Sequence, residues 1–309
     1  MAKDYLLFIH GVNTRDKRYA DKLFQLIQES AGSSQKLEKI SLYWGDIGDA
    51  EQERLRTSFK ESEAWNKVWF KDFRSKQLLQ FAGDAALYLS RTIGSKVVQR
   101  IKEIEQVLES CNAQQDRLHL ITHSWGTVIL FDILFAKRWT YEDSPAHKDV
   151  MEIREKLFGL PPYPNTGVKL SSIHTMGSPI ALFTLLHVDG STHDFQDLFE
   201  KFLQNLHDAR QRKLPWLNFI HPGDPVAWPL KKLLETKHLY LEDIIIRKED
   251  FSDFFFQMVS QEILALVHGG DAHGSYWQSK QVADRIAQTI KREALSARSQ
   301  VTNCEVISP

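Results

Sequence analysis

The sequence predicts an α/β protein with a mostly parallel central sheet flanked by helices. Short apolar segments of the kind that forms buried strands occur at residues 5–9, 40–44, 118–122, 168–176 and 216–220. Between them lie segments with apolar side chains at helical spacing, such as residues 19–30 and 126–135. Strands that alternate with helices form βαβ units in a parallel sheet, and ligands then bind at the carboxyl ends of the strands.

The strand ends carry the polar and glycine-containing turns. Residues 5–9 form a continuous apolar run, as expected for a strand that is covered on both faces. The strand at 168–176 stops at Gly177-Ser178-Pro179, and the strand at 216–220 stops at a turn with two prolines and one glycine. The motifs considered below therefore all lie where the fold class places a ligand site.

The size and charge of the chain limit its organisation and its partners. With 309 residues, of which 42% are hydrophobic, we expect one domain over residues 1–296 and a loose tail over 297–309, where the apolar pattern stops. The 39 basic and 40 acidic side chains nearly balance, so nucleic acid is not an expected partner. No apolar run is long enough to span a bilayer.

The two cysteines and the amino-terminal segment suggest a cytoplasmic protein. Two cysteines, Cys111 and Cys304, do not make a disulfide framework, and neither lies beside a histidine in a metal-binding motif. The apolar run at residues 6–9 is too short for the core of a signal peptide.

Two apolar stretches lie outside the alternating strands and helices described above. Residues 47–112 are predicted to form a largely helical insertion, a candidate cap or lid. Its aromatic side chains either line an acyl pocket or bury the helices against the sheet; they include Trp65, Trp69, Phe73 and Phe81. Residues 251–267 suggest transient contact with a membrane surface, but a core helix is favoured because no basic polar face accompanies them.

The candidate nucleophile is Ser124, which lies between an apolar strand and a helix. A strand–turn–helix holds a serine hydroxyl out of the sheet, and small flanking residues permit the strained turn. Gly126 meets this need, whereas Thr122 stands where a glycine is usual. The alternative is that Ser124 only caps the amino terminus of the helix.

The turn after the first strand is a candidate oxyanion hole. A tetrahedral intermediate needs two N–H donors, one from the residue after the nucleophile and one from a loop after an early strand. These would be the backbone N–H groups of Trp125 and Val12, with Gly11 permitting the close approach. Alternatively, this is a plain turn in which His10 has only a structural role.

The candidate acid and base are Asp224 and His273. Where a serine nucleophile lies on such a turn, the acid and then the base follow it in the chain. Asp224 lies in a turn stiffened by Pro222 and Pro225, although an Asp there commonly binds its own turn backbone. His273 is favoured over His268, which ends an apolar helical run and would interact with the helix terminus.

Together these motifs resemble the α/β-hydrolase superfamily, especially its lipase-like and esterase-like members. The resemblance rests on residues 8–13, 122–126, 175–179, 223–226 and 271–273. It implies a Ser124–His273–Asp224 triad, no cofactor and acyl transfer to water. The chain departs from the family at Thr122 and by lacking the leading antiparallel strands of many members.

The resemblance implies a serine hydrolase that acts on a small-molecule or lipid-like ester. A thioesterase or an amidase with the same triad is an alternative that the sequence does not separate from an esterase. A third hypothesis is a catalytically silent hydrolase fold that serves as a binding protein. The complete and correctly ordered set of Ser124, Asp224 and His273 argues against the third hypothesis.

Overall fold

A computed structural model describes residues 2–71, 74–75, 79–157, 160, 167–186, 195–246 and 272–305. Within them, six strands form one sheet in the order β2-β1-β3-β4-β5-β6, and every neighbouring pair is parallel. The strands are β1 (Asp4–Ile9), β2 (Leu37–Leu42), β3 (Arg117–His123), β4 (Lys169–Met176), β5 (Leu214–Ile220) and β6 (Leu239–Ile245). The mostly parallel α/β fold class predicted from the sequence is confirmed.

Helices connect the strands and cover both faces of the sheet. The α-helices are α1 (Asp21–Ala31), α2 (Asp49–Glu61), α3 (Leu79–Leu89), α4 (Arg91–Lys102), α5 (Ile104–Leu108), α6 (Trp125–Phe135), α7 (His147–Glu155), α8 (Ile180–Phe183), α9 (Gln196–Arg210) and α10 (Lys280–Glu305). Short 3-10 helices occupy Glu63–Lys67, Lys137–Trp139, Thr184–Leu186 and Ser275–Gln278.

The alternation of side chains along the strands divides the core into two clusters. Leu6 and Phe8 of β1 point into the cluster that α1 and α10 cover. Their neighbours Tyr5, Leu7 and Ile9 point into the opposite cluster, which α4, α6, α7 and α9 cover. Because strand side chains alternate with a period of two, a strand that is buried on both faces can be apolar on both, as β1 is at residues 5–9. β3 and β4 are also buried on both faces, but they include buried polar side chains such as His119 and His174.

The strand predictions differ from the structure mainly at β2 and β6. The second strand ends at Leu42 rather than at Trp44, because the Trp44 backbone N–H donates to His10 Nε2 at 3.0 Å instead of continuing the ladder. The sixth strand, β6, was not predicted. It lies at an edge of the sheet, and its buried and exposed positions are interspersed, so it lacks the apolar run of a central strand.

The last helix is longer than the sequence analysis predicts. α10 continues to Glu305, past residue 297, where the loose tail was expected to begin. The residues from 297 to 305 lack an apolar stripe, but they contain neither glycine nor proline. A helix that is already nucleated by packing can extend through such residues, since each further residue adds one backbone hydrogen bond.

The segment between β2 and β3 is built from α2, α3, α4 and α5 with one 3-10 turn. Phe73, residues 251–267 and His268 lie outside the described residues. None of the helices within the described ranges is long and apolar enough to cross a membrane. In the same part of the chain, no group of three or more His, Cys, Asp or Glu side chains is arranged to hold a metal ion.

Candidate active site

Ser124 lies on a strained turn between β3 and α6. Its backbone has φ 53° and ψ −130°, in a region that non-glycine residues rarely occupy. Its side chain does not cap α6, and its buried Oγ has no hydrogen-bond partner among the described residues. The helix-cap interpretation of Ser124 is therefore wrong. The strain instead holds a hydroxyl at the carboxyl edge of the sheet, as a nucleophile requires.

The residues around Ser124 explain how the turn accommodates a threonine. The Thr122 hydroxyl shares a hydrogen bond of 2.8 Å with the hydroxyl of Thr127, which joins the end of β3 to the first turn of α6. Gly126 is the position that must stay small, because a methyl group there would lie 2.4 Å from the His10 carbonyl oxygen. The turn thus needs one glycine, and the departure at Thr122 supplies a polar contact in place of the other.

The loop after β1 packs directly against Ser124. A methyl group on Gly11 would lie 2.5 Å from Ser124 Cβ and 3.0 Å from Ser124 Oγ. Val12 is the next residue of this loop, and Trp125 is the first residue of α6. Neither backbone N–H has an acceptor in the described part of the chain. Two free donors at this edge are the arrangement that an oxyanion hole needs.

His10 is a structural residue that fixes the shape of this loop. It is fully buried, and its ring stacks on Trp44 with an interplanar angle of 4°. The Trp44 N–H donates to Nε2, so Nδ1 carries the proton and donates to the Gly11 carbonyl at 2.6 Å. Burial lowers the pKa of His10 to about 4, which keeps the ring neutral. Both ring nitrogens of His10 therefore take part in hydrogen bonds that shape the loop.

Asp224 and His273 form a hydrogen-bonded pair at the same edge of the sheet. His273 Nδ1–H donates to the two carboxylate oxygens of Asp224 at 2.9 and 3.0 Å. The Asp224 side chain is fully buried, and His273 Nε2, on the far side of the ring, is buried without a partner among the described residues. The ring is therefore oriented through one nitrogen, and the other nitrogen is left to accept a proton.

Asp224 also binds its own turn, and a tyrosine. The Val226 N–H donates to Oδ1 at 2.9 Å, and the Tyr276 hydroxyl donates to Oδ2 at 2.7 Å. Burial disfavours the charged carboxylate, but the hydrogen bonds from His273, Tyr276 and Val226 outweigh it and hold the pKa of Asp224 below its usual value. The turn interpretation and the pairing interpretation of Asp224 thus both describe real contacts.

Tyr276 is a site residue that the sequence analysis missed. Its hydroxyl accepts the His221 N–H at 2.9 Å while donating to Asp224, so it joins both ends of the acid turn. Burial and the nearby carboxylate raise its pKa, so it remains a donor. Its position three residues after His273, on the 3-10 turn that follows, was the one available signal.

We predict that Tyr276→Phe lowers kcat roughly tenfold, because it removes a hydrogen bond that holds the Asp224 carboxylate in position. Steady-state kinetics check this. Tyr240→Phe is the control, because Tyr240 donates to Glu242 on β6 at 3.5 Å, outside this pair.

The difference in stability between the wild type and Tyr276→Phe should depend on pH. A carboxyl whose folded pKa is lowered stabilises the fold above its unfolded pKa of about 4, and this contribution is lost as the pH falls through the folded value. Tyr276→Phe should therefore lose most stability near neutral pH, and the difference should shrink in acid. Urea unfolding across pH checks this; equal losses of kcat in Tyr276→Phe and Tyr240→Phe would contradict the assigned contact.

Gly177 gives the Asp224–His273 pair room to form. Its φ is +56°, and a methyl group there would lie 2.6 Å from Asp224 Oδ2 and 3.0 Å from His273 Nδ1. Asp224 and His273 therefore lie so close to the end of β4 that only glycine fits there. The sequence analysis identified the Gly177-Ser178-Pro179 motif but not this contact.

We predict that Gly177→Ala lowers kcat by about 10²-fold, because a misplaced base costs about that much. The same change should lower the free energy of unfolding by about 1–3 kcal/mol through backbone strain. Gly274→Ala is the matched control, since Gly274 adjoins His273 in the chain and a methyl group there meets nothing within 4 Å. Steady-state kinetics and urea unfolding of both variants check this; similar losses in the two would contradict the steric argument.

His123 links the nucleophile turn to the loop that carries His273. Its Nε2–H donates to the His273 carbonyl oxygen at 2.6 Å, and the two rings lie 4.5 Å apart. Burial and the neighbouring His273 lower the pKa of His123 to about 3, so it stays neutral. Because His123 directly precedes Ser124, this hydrogen bond joins the Ser124 turn to the loop that carries His273.

Mainly apolar side chains pack closely beside the Ser124 turn. They leave a crevice of about 10 Å³, which is lined by residues from α3, α6, α8 and the start of α9: Tyr88, Leu89, Val128, Asp132, Ile180, Phe183 and Phe195. The Phe183 ring packs edge-to-face on Trp125, the residue after Ser124, with centroids 5.2 Å apart. The surroundings of Trp125 are therefore mainly apolar.

The structure brings the predicted site residues to one edge of the sheet. Ser124 follows β3, Asp224 follows β5 and pairs with His273, and Gly11 follows β1 and packs against Ser124, with Val12 next to it in the chain. These strand ends adjoin because all neighbouring strands are parallel. Tyr276, His123 and the packing at Gly177 are the parts of the site that sequence reasoning did not supply.

The sequence matches no family model and no curated protein. Among solved structures, the chain is similar to RedJ with a PEG molecule bound in its active site (15% identity, 88% of this chain and 94% of that chain covered, TM-score 0.31). It is also similar to the RedJ thioesterase of the prodiginine biosynthetic pathway of Streptomyces coelicolor (14%, 88% and 86%, 0.33) and to a monoacylglycerol lipase from Paleococcus ferrophilus (10%, 86% and 96%, 0.29). At these identities and TM-scores, the fold assignment rests on the sheet order.

Proposed function

We propose that this protein, whose chain has the α/β-hydrolase fold, is a serine hydrolase that cleaves carboxylic esters. The observation that carries the proposal is the combination of two groups at one edge of the sheet. One is Ser124, held in a strained backbone conformation without a capping role. The other is the buried Asp224–His273 pair, whose outer nitrogen has no partner in the described part of the chain.

In the proposed first half-reaction, Ser124 Oγ attacks the acyl carbonyl carbon while His273 Nε2 accepts the hydroxyl proton. The carbonyl oxygen becomes an oxyanion, which the N–H groups of Val12 and Trp125 stabilise. The bond to the leaving alcohol then breaks, and His273 returns the proton to the alcohol oxygen. An acyl-enzyme on Ser124 and a free alcohol result.

In the second half-reaction, water attacks the acyl-enzyme and His273 accepts its proton. A second oxyanion forms in the same hole and collapses, which releases the carboxylic acid and returns the proton to Ser124 Oγ. Throughout both steps, Asp224 keeps the proton of the neutral ring on Nδ1 and stabilises the imidazolium as it forms. Tyr276 and Val226 hold Asp224 in this position.

The side chains beside Trp125 support an ester with an apolar acyl group as the substrate. They are mainly aliphatic and aromatic, and the one carboxylate among them, Asp132, is already bound to Tyr88, Arg138 and Trp139. The crevice between them, of about 10 Å³, is too small to hold an acyl chain, so the chain would lie against this apolar surface and displace water from it.

A panel of matched substrates tests the proposal. The wild type is assayed on p-nitrophenyl esters of increasing acyl length, on the corresponding acyl thioesters and on the corresponding anilides. We expect the highest kcat/KM on the esters, with complete dependence on Ser124. Faster cleavage of the thioester or the anilide at equal acyl length would assign a thioesterase or an amidase instead. No cleavage of any of them by the folded wild type would favour a non-catalytic binding protein.

A further inference from the structure

Two adjacent aromatic side chains project from the insertion into solvent. Trp69 is 79% exposed and Phe70 is 73% exposed, whereas most of the aromatic side chains described are buried or packed against others. The sequence analysis expected Trp69 to line a pocket or to bury the helices, and it does neither. Two neighbouring exposed aromatic residues form an apolar tip, which water solvates poorly.

The local backbone holds this tip outward. The Lys71 ammonium donates to the Asn66 carbonyl at 3.0 Å and so closes the loop from 66 to 71 around Trp69 and Phe70. Phe70 has φ 57°, a left-handed conformation that is rare for a bulky aromatic residue. Its carbonyl accepts the Arg74 N–H at 2.9 Å. The loop thus keeps a strained conformation that presents both rings, and such strain is commonly maintained at binding sites.

The segment that carries the tip is basic, although the whole chain is not. Arg54 and Arg56 pair with Glu51 and Glu53, and the following residues 60–76 contain five lysines and arginines against three acidic residues, whereas the chain as a whole has a net charge of −1. Lys67 and Arg74 are exposed on either side of the tip. An apolar tip within a basic surface complements an apolar layer beneath negative charge, which is the structure of an anionic lipid surface.

The tip belongs to a segment that leaves the sheet at its active-site edge. The insertion starts after the carboxyl end of β2, and buried Asp84 of α3 ties it to the loop after β1. Asp84 accepts the Asn13 N–H at 2.9 Å, and it also binds Arg15 and Gln52. The segment is therefore joined to the loop that contains Val12, on the side of the sheet where Ser124 lies.

We infer that the Trp69–Phe70 tip docks this protein on anionic lipid bilayers. Tryptophan and phenylalanine are favoured at the boundary between headgroups and acyl chains, and flanking lysine and arginine side chains are attracted to anionic headgroups. A surface of two rings is too small for a stable protein partner, which needs on the order of 800 Å² on each side. This inference goes beyond the proposed function and does not depend on the triad.

Vesicle co-sedimentation of the full-length protein tests the inference. Wild type is expected to bind phosphatidylcholine vesicles that contain phosphatidylglycerol, and to bind them less as the salt concentration rises. Pure phosphatidylcholine should bind the protein weakly. The double variant Trp69→Ala with Phe70→Ala should lower the partition coefficient roughly tenfold or more. Lys67→Glu should weaken binding only to the anionic vesicles.

Tyr141→Ala is the matched control, because Tyr141 is an aromatic residue that is 51% exposed outside the insertion. It should leave vesicle binding unchanged. Trp69→Phe keeps an apolar tip but removes one indole, so it should still bind while losing part of the fluorescence quenching by brominated lipids. Equal binding by wild type and the double alanine variant would overturn the inference, as would an absence of wild-type binding.

Two readouts keep this test separate from the proposed function. The Ser124→Ala variant should bind vesicles as the wild type does, because the tip does not include the nucleophile. The double alanine variant should hydrolyse a water-soluble p-nitrophenyl ester normally, since neither ring contacts the site. A variant that loses only vesicle binding therefore reports on the tip, and a variant that loses only hydrolysis reports on the triad.

Discussion

Ser124→Ala is expected to lower kcat/KM for a p-nitrophenyl ester by about 10⁴- to 10⁶-fold. The reason is that the variant lacks the only atom that forms the covalent bond to the acyl group. Its Tm should change little, because Ser124 Oγ neither caps α6 nor bonds any other described group. Kinetics and thermal unfolding on the same preparation check both halves of this expectation.

The control for this variant is Ser178→Ala. Ser178 is also buried, follows the neighbouring strand β4, and accepts the Ile180 N–H at 3.2 Å. Removing its hydroxyl should lower the free energy of unfolding by about 1 kcal/mol, the usual cost of a lost hydrogen bond. If Ser124→Ala and Ser178→Ala reduced activity to a similar extent, Ser124 would not be the nucleophile.

Asp224→Asn is expected to lower kcat by about 10⁴-fold, the next largest effect. An asparagine at this position presents an amide N–H to His273, which favours the tautomer with the proton on Nε2. In that tautomer Nε2 carries the proton and has no lone pair with which to accept the Ser124 proton. It also provides less negative charge to stabilise the imidazolium, so both functions of the carboxylate are lost.

Asp4→Asn separates this catalytic effect from the loss of a buried carboxylate. Asp4 is fully buried and binds Arg117 and His119, but it lies at the amino end of β1, away from the candidate site. It should destabilise the protein, because it leaves a buried arginine without its charged partner. Measured below its Tm, the Asp4 variant should retain its activity. Equal loss of kcat in both asparagine variants would point to a stability effect instead.

The sequence was sufficient to predict the central strands and the residues that end them. β1 is buried on both faces and has a continuous apolar run at residues 5–9, β3 contains Leu118, Leu120 and Ile121, and the turns that follow carry Gly11 and Ser124. The parallel arrangement then brings these strand ends together without further information. Edge strand β6 was missed because its sequence mixes buried and exposed positions.

The supporting contacts of the site were beyond the sequence, since they depend on distances between loops. Tyr276 contacts Asp224 across 52 positions of the chain, and His123 contacts His273 across 150. Apart from the closeness of Tyr276 to His273 in the chain, nothing in the local pattern distinguishes these residues from ordinary core tyrosines and histidines. The exposure of Trp69 could not be predicted from the sequence either, because an aromatic residue in a helical segment is usually buried.

Labelling with a fluorophosphonate probe tests the central claim most directly. The probe is incubated with wild type, Ser124→Ala and His273→Ala, and the modified peptide is identified by mass spectrometry. We expect one label on Ser124 in the wild type and none in either variant, because the hydroxyl needs the base to react. A folded wild type that remains unlabelled, or a label on a different serine, would contradict the assignment of Ser124, His273 and Asp224 as a catalytic triad.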